Sequence, residues 1–302
     1  MADALASGAS VRKDVGVQVP PRPQLMLVRF SPVVQQLSQL RRSQNLLWNL
    51  TLRELRSKYR RSLLGWAWSM LNPLSNMVIY WFVFGVVFGA TAPIGDPSGI
   101  EIYALYLLSG ILPWGFFALV TNLGLGSLLG NSGLVKKVYF AWETLVFAQV
   151  IFSFVQFCIE MLLLSTILVI AGSPILPWLP EVIMLMLLLT IFSTGLALAL
   201  AVFAAYFRDL VYLWTIIMQA YFFTTPIIYN ADDLEGRVSE PILNILNYNP
   251  MAVFVRAFRN TLYDGRGAEA GDILFLIVVS FSVFFIGFKI FHKFTRRLAE
   301  EL

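Results

Sequence analysis

Apolar residues follow two different patterns along this chain. Between residues 48 and 66, Trp48, Leu52, Leu55, Tyr59, Leu63 and Trp66 recur at intervals of three and four, while Arg53, Arg60 and Arg61 project from the opposite side. That spacing predicts an amphipathic helix with a basic face, lying along a lipid interface with its arginines toward phosphate and water. From residue 66 onward polar positions thin out, leaving six apolar stretches at roughly 66–90, 102–125, 145–171, 182–206, 210–230 and 272–291. About 20 apolar residues cross the hydrocarbon of a bilayer, so each stretch is read as a span. The expected fold class is all-α, a polytopic membrane protein with six transmembrane helices preceded by an N-terminal amphipathic interface helix.

Three regions follow from this reading. Residues 1–35, with Pro20, Pro21, Pro23 and Pro32 and no apolar run of signal-peptide length, are expected to form a mobile cytoplasmic tail. Residues 36–65 hold the interface helix, and 66–302 form the membrane domain. The connection 231–271 is more than a loop: Ile242 to Leu246 and Met251 to Leu262 are apolar, too short to cross, and interrupted at Asn249-Pro250. A broken, re-entrant helix pair between spans five and six is expected there, since irregular backbone at membrane depth persists only where protein or water satisfies it.

Composition supports a membrane chain. Hydrophobic residues make up 58% and charged residues 13%, where a soluble domain carries about 25% charged. One cysteine and one histidine leave no His/Cys cluster for zinc, haem or iron–sulfur, so no metal or cofactor is expected in this chain. Of the 22 Lys and Arg, 11 precede Trp66. Loops 91–101 and 172–181 contain none, whereas 130–144 holds Lys136 and Lys137, and the C-terminal segment holds Lys289, Lys293, Arg296 and Arg297. Positive residues stay inside, which places both termini and segment 130–144 in the cytoplasm, makes 231–271 external, and speaks for membrane lipid and against nucleic acid as the partner of the basic residues.

Polar residues within spans are costly and therefore informative. In span three, Gln149, Ser153, Gln156 and Glu160 recur every three to four residues, forming an intramembrane polar stripe that serves either a path or a buried hydrogen-bond network. Span one carries Ser69, Asn72, Asn76, Tyr80 and Phe84 on one face, and span five carries Tyr212, Thr215, Gln219, Phe222, Phe223 and Pro226. Aromatic rings joined to amides and hydroxyls suit sugars, whose C–H faces pack on rings; ordinary packing is the plainer reading. Gly126/Gly130 and Gly85/Gly89 have the spacing that lets helices approach closely. Segment 130–143 is basic and aromatic, a docking element for a soluble partner or a simple cytoplasmic anchor. No phosphate-binding loop is present, because Gly126-Ser-Leu-Leu-Gly130 continues as Asn131-Ser132 without a lysine. ATP hydrolysis is not expected in this chain.

The run Leu55-Arg-Ser-Lys-Tyr-Arg-Arg-Ser-Leu-Leu-Gly-Trp-Ala-Trp-Ser-Met-Leu-Asn-Pro-Leu74 resembles the membrane subunits of ABC-2 type polysaccharide exporters, the O-antigen, galactan and teichoic-acid permeases. The likeness continues at Lys136-Lys-Val-Tyr-Phe140, Phe207-Arg-Asp209, Thr225-Pro-Ile-Ile-Tyr229, Asn249-Pro-Met251 and Phe258-Arg-Asn260. It departs at Ala141-Trp142, where such permeases often have a proline and a basic residue before the glutamate, which bears on the shape of the docking loop. The resemblance implies a homodimer working with a separate ATPase that binds ATP and magnesium, exporting a lipid-linked polysaccharide across the cytoplasmic membrane. In that frame Lys136, Lys137, Val138, Tyr139, Phe140 and Glu143, with Arg53, Arg56, Lys58, Arg60 and Arg61 of the interface helix, would couple to the ATPase, while spans one and five would line the path. Two rivals remain: a proton-coupled secondary transporter using Glu160, and a scaffold subunit of a glycosyltransferase complex.

Overall fold

A computed structural model describes residues 44–57, 65, 67–89, 91–137, 140–229, 239–241, 246 and 249–301. The described residues are helical and contain no strand. In chain order the helices are α1 (Gln44–Ser57), α2 (Ala67–Tyr80, widening into a π-helix over Trp81–Val87), α3 (Tyr103–Gly130), α4 (Ser132–Lys137), α5 (Glu143–Ile170), α6 (Leu179–Tyr206), α7 (Leu210–Thr224), α8 (Pro250–Arg259) and α9 (Ala270–Glu301). Five segments, Met70–Val87, Tyr103–Gly130, Glu143–Ile170, Leu176–Tyr206 and Ala270–Thr295, are long and apolar enough to cross a membrane. The chain is thus a polytopic, all-helical membrane protein, with one terminal rim at α4 and the other at α8.

The apolar run after residue 210 is the exception. It forms a helix of 15 residues, Leu210–Thr224, about 22 Å long at 1.5 Å per residue, where the sequence leads one to expect a span reaching residue 230. Pro226 explains the early stop. Proline disfavours helical backbone at the residue before it, and Thr225 is extended at ψ 125°. Helix α1 lies where the interface helix is expected, but it packs on α5 through the buried Leu50 and Thr51, while Trp48 of the expected apolar face is 60% exposed; Lys58, Arg60 and Arg61 lie outside the described residues, as does segment 1–35.

Helix α6 is the centre of the bundle, with α3 on one side and α9 on another. These contacts depend on missing side chains. A methyl group added at Gly195 would sit 2.5 Å from the Phe284 Cα, and Gly287 faces the backbone of Gly195 in turn. On the other side, a methyl at Gly124 would lie 2.5 Å from the Ala197 Cβ. Gly126 and Gly130, whose spacing suggests a close crossing, have no described atom within 4 Å of where a Cβ would stand. Small-residue spacing states which residues share a face, and only the partner's approach decides whether they are needed.

Helix α8 is inserted into this bundle as the second half of the expected broken pair. Met251, Phe254, Phe258 and Leu262 are all fully buried. Phe254 packs on Phe192 of α6 at 5.8 Å between ring centres, and Phe258 on Phe157 of α5 at 6.3 Å. Of the expected first half, all but Leu246 lies outside the described residues.

Gly195→Leu is expected to separate α6 from α9 and to lower the thermal midpoint of the detergent-purified protein by several degrees, overpacking costing about 1–3 kcal/mol. Gly126→Ala should leave that midpoint within a degree or two. Fluorescence-detected size-exclusion chromatography after heating measures both; equal effects would refute the assignment of the seam.

Candidate functional site

A cavity of about 250 Å³ opens between α2, α3 and α5. Asn72 and Asn76 of α2 and Ser153, Gln156 and Glu160 of α5 line it together with Phe116 and Gly115 of α3. Two stripes that the sequence presents separately therefore meet in one place. Glu160 is buried at 7% exposure, and the Gln156 side-chain amide donates to its Oε1 at 2.7 Å, one helical turn away. The Ser153 hydroxyl donates to the Gln149 carbonyl at 2.8 Å, so Gln149 contributes through its backbone; its half-buried side chain does not line the cavity. The side chain of Ser69 lies outside the described residues.

Farther along the same α2 stripe is an aromatic cluster. Tyr80 stacks on Phe222 of α7 with centres 6.5 Å apart, Phe84 follows at 6.3 Å from Tyr80, and Trp114 of α3 meets Phe222 edge-on at 5.5 Å. The α7 residues grouped by spacing do not stay together. Phe222 turns inward, whereas Tyr212, Gln219 and Phe223 are exposed, Tyr212 at 76%. Among α7 residues only Trp214 and Met218 are buried, and among the described side chains of the α2 segment 70–87 none is. The division has a simple cause: Phe222 and Phe223 are neighbours in sequence, and on a helix adjacent residues point about 100° apart.

The α8 rim is closed by polar contacts that spacing does not announce. The Arg259 guanidinium lies 3.8 Å over the Tyr106 ring and donates from Nη1 to the Pro226 carbonyl at 2.7 Å and from Nη2 to that of Ile227. Asn249 caps α8 by accepting from the Met251 N–H at 3.0 Å, accepts the Tyr221 hydroxyl at 2.6 Å, and donates to the Thr225 hydroxyl at 3.2 Å. Tyr263 donates to the carbonyls of Pro93 and Ile100, 2.9 and 2.6 Å away, which fastens loop 91–101. Arg256 grips Asp272 through two bonds of 2.7 and 2.6 Å, joining the last turn of α8 to the first turn of α9 where both helix dipoles favour those charges. Burial pushes the Asp264 carboxyl up from its ordinary range, with Arg266 pulling it back. A signal for this rim was present in Phe258-Arg-Asn260, where Arg259 joins Arg256 on a half-helix whose other residues are apolar; its partners, distant in sequence, carried none.

At the α4 rim, Arg53 of α1 donates to the Asn131 side chain at 3.1 Å and pairs with Glu54, tying the interface helix to the start of segment 131–142. Lys136, Lys137 and Arg56 are exposed, and Phe140 packs on the core. Glu143 is buried at 4% exposure, with His292 Nε2 of α9 3.9 Å away, so it faces inward and is not part of a docking surface in this structure. Val138 and Tyr139 lie outside the described residues. Among the described residues no group of three or more His, Cys, Asp or Glu could hold a metal ion.

Arg259→Met would leave two carbonyls without their donors, a loss of about 1–3 kcal/mol for each group stranded, so a large fall in thermal midpoint is expected. Arg53→Ala, removing an exposed pair, should change it little. Thermal unfolding in detergent, with limited proteolysis near residue 226, checks the contrast.

A profile of the ABC-2 type transporter family matches residues 45–263. The O-antigen export system permease protein RfbA of Klebsiella pneumoniae is 28% identical over 259 residues, 85% of this chain and 95% of its own. The protein of that name from Myxococcus xanthus is 27% identical, covering 89% of this chain and 99% of its own. The polysialic acid transport protein KpsM of Escherichia coli is 23% identical over 80% of this chain and 90% of its own. The matched region runs from α1 through α8 to Tyr263, taking in both rims, the cavity and the aromatic cluster, and on that match the chain belongs to the ABC-2 type transporter family.

Proposed function

We propose that this chain is the membrane subunit of an ATP-driven exporter, acting as a homodimer with a separately encoded ATPase to carry a lipid-linked polysaccharide across the cytoplasmic membrane. The observation that carries the reading is the aromatic cluster of Tyr80, Phe84, Phe222 and Trp114, set beside the exposed faces of α2 and α7 in a member of a transporter family. Rings of this kind offer sugars a stacking surface. Gln219 on the exposed α7 face is costly against lipid, which favours a second copy opposite it with the path between the two. The named cargoes of the relatives, O-antigen and polysialic acid, share a chemical class, long carbohydrate, and that class is what carries over.

Six crossings result when α7 and the bent segment Thr225–Tyr229 count as the fifth. Both termini and the α4 rim are then cytoplasmic, and α8 is external and re-entrant. The joint between Arg53 and Asn131 puts α1 and the basic segment Lys136-Lys137 in mechanical contact, a suitable receiver for ATPase closure. Lys136, Lys137 and Arg56 supply its exposed charge; Phe140 and Glu143 support it from within.

Gentle purification of the tagged chain from its native membrane is expected to bring an equimolar ATPase. Lys136→Glu with Lys137→Glu should leave the protein in the membrane while export falls relative to ATP turnover, and Tyr80→Ala or Phe222→Ala should slow export about 2- to 10-fold, the worth of an aromatic contact. Normal export from the double variant sinks the docking role. A pH-driven, ATP-independent activity with no ATPase attached would replace the whole reading by proton coupling at Glu160.

A further inference from the structure

Helix α9 carries one exposed line along most of its length. Leu274, Val278, Phe281 and Phe285 are exposed, and the exposed Lys289 and Lys293 follow them at intervals of three and four residues that keep all six on one side of the helix. The line changes from apolar to basic at a defined depth. Near its start Asp272 is held by Arg256, a charged pair suited to the headgroup layer at the α8 rim, and Lys289 and Lys293 stand 17 and 21 residues farther on, about 26 and 32 Å at 1.5 Å per residue. The hydrocarbon core is about 30 Å thick, so both ammonium groups reach the opposite headgroup layer while their methylene stems stay in the apolar zone. The end of α6 is fixed beside them. The Tyr206 hydroxyl donates to the Phe294 carbonyl at 2.9 Å, the Phe294 ring packs on Phe203 and Tyr206 with centres 5.7 and 6.0 Å away, and Lys293 Nζ lies 5.8 Å from the centre of the same ring. Phe207 and Arg208, the next two residues of the chain, are exposed at this joint.

We propose that Arg208, Lys289 and Lys293, with Phe207, form a binding surface for the phosphate headgroups of anionic phospholipid. The inference rests on the orientation in the exporter reading above, which puts this end of α6 and α9 at the cytoplasmic leaflet. The balance of charge calls for an anion. Asp209 offsets one of the three cations, Glu143, the carboxylate that reaches α9 at this level, is turned inward against His292, and Arg296 and Arg297 cancel Glu300 and Glu301 in the sequence beyond. Lipid fits better than an acidic protein because the lysines continue a line that is exposed and apolar in the turns before them: acyl chains lie along Phe281 and Phe285 where phosphate meets Lys289 and Lys293. Each cation at such a position adds attraction to an anionic leaflet, and the Phe207 ring, 68% exposed, supplies an apolar anchor at the boundary of headgroup and chain. Since α9 meets α6 backbone to backbone at Gly195 and Gly287, lipid held here fixes the depth of the embedded pair of helices and leaves α2 and α7 free of it.

The test uses the purified exporter with its ATPase in nanodiscs of equal parts phosphatidylglycerol and phosphatidylcholine. A photoreactive amino acid replaces Phe207, or in a second variant Leu274 near the other end of the line, and lipid attached on illumination is identified by mass spectrometry. The ratio of phosphatidylglycerol to phosphatidylcholine adducts is expected to be higher at 207 than at 274 by about 5-fold or more, the worth of one cation beside an anionic surface. Combining Arg208→Gln, Lys289→Gln and Lys293→Gln should bring the two positions level, whereas Arg208→Lys with Lys289→Arg and Lys293→Arg should keep the preference, which separates lost charge from lost fold. Equal ratios at 207 and 274 in the unaltered surface overturn the proposal. Attachment of the ATPase in place of lipid at 207 also overturns it and makes the surface a protein dock, with the exporter reading intact. Orientation is read separately in intact cells, where Phe207→Cys in a Cys158→Ser background should resist an impermeant maleimide and react after lysis. Labelling from outside overturns the orientation and the leaflet assigned with it.

Discussion

The interaction on which this architecture depends is the one between Arg259 and the backbone just beyond α7. A chain that stops a helix in apolar surroundings must find partners for the groups it frees, because no water is at hand to take them. Here Pro226 forces the stop, and the carbonyls of Pro226 and Ile227 are received by the guanidinium of Arg259. That cation sits at the last turn of α8, where the helix dipole favours it, and against the face of Tyr106. One side chain thus makes two helix breaks compatible. Once α8 is seated, Phe254 and Phe258 can fill the space between α5 and α6, and the turn after α8 can hold loop 91–101 through Tyr263.

This places rigidity and freedom at different positions along α7. Its end near α8 is held by Arg259, by Asn249 through Tyr221 and Thr225, and by the Tyr103 hydroxyl on the Ile228 carbonyl at 2.8 Å. Toward α4 the same helix buries only Trp214 and Met218. Helix α2 is similarly exposed, while α3 and α6 are embedded and joined through Gly124, Ala197 and Gly195 to α9. Among the described membrane helices, the two assigned to the path are therefore those that bury the smallest share of their residues. Elements that must move are drawn from the weakly held part of a structure, and α7 is fixed at one end so that displacement concentrates at the other.

Much of the bundle was legible because length and apolarity suffice to specify it. The helices α3, α5, α6 and α9 appear where continuous apolar runs put them, and the half-helix α8 follows from Asn249-Pro250 and the periodic Met251, Phe254 and Phe258. A helix at α1 was legible, but its packed face was not, since Leu50 and Thr51 are buried there and Trp48 is not. What periodicity could not supply was anything decided by a distant partner. Gly126 and Gly130 share a face on which no described atom comes within 4 Å of an added Cβ, whereas Gly195 and Gly287, which do meet, sit on helices separated by the whole of α7 and α8. Glu143, read from its position beside Lys136 and Lys137 as part of a docking segment, is buried because α9 brings His292 against it. Arg259 reaches carbonyls 33 and 32 residues away, and a carbonyl has no signature in sequence.

Treating every polar residue in a span as equally costly obscures a distinction that the structure draws sharply. Hydroxyls at Thr121, Ser153, Thr166, Thr190, Thr194 and Thr215 each donate to the carbonyl one turn earlier. Such a group is satisfied by its own helix and is tolerated anywhere, as the exposed Thr166 and Thr215 illustrate. Carboxamides and carboxylates have more donors and acceptors than the preceding turn can satisfy. It is these, Asn72, Asn76, Gln156 and Glu160, that gather around one cavity. Side chains that cannot be satisfied locally are cheapest when they share a polar space, and α2 and α5 supply that space together against α3.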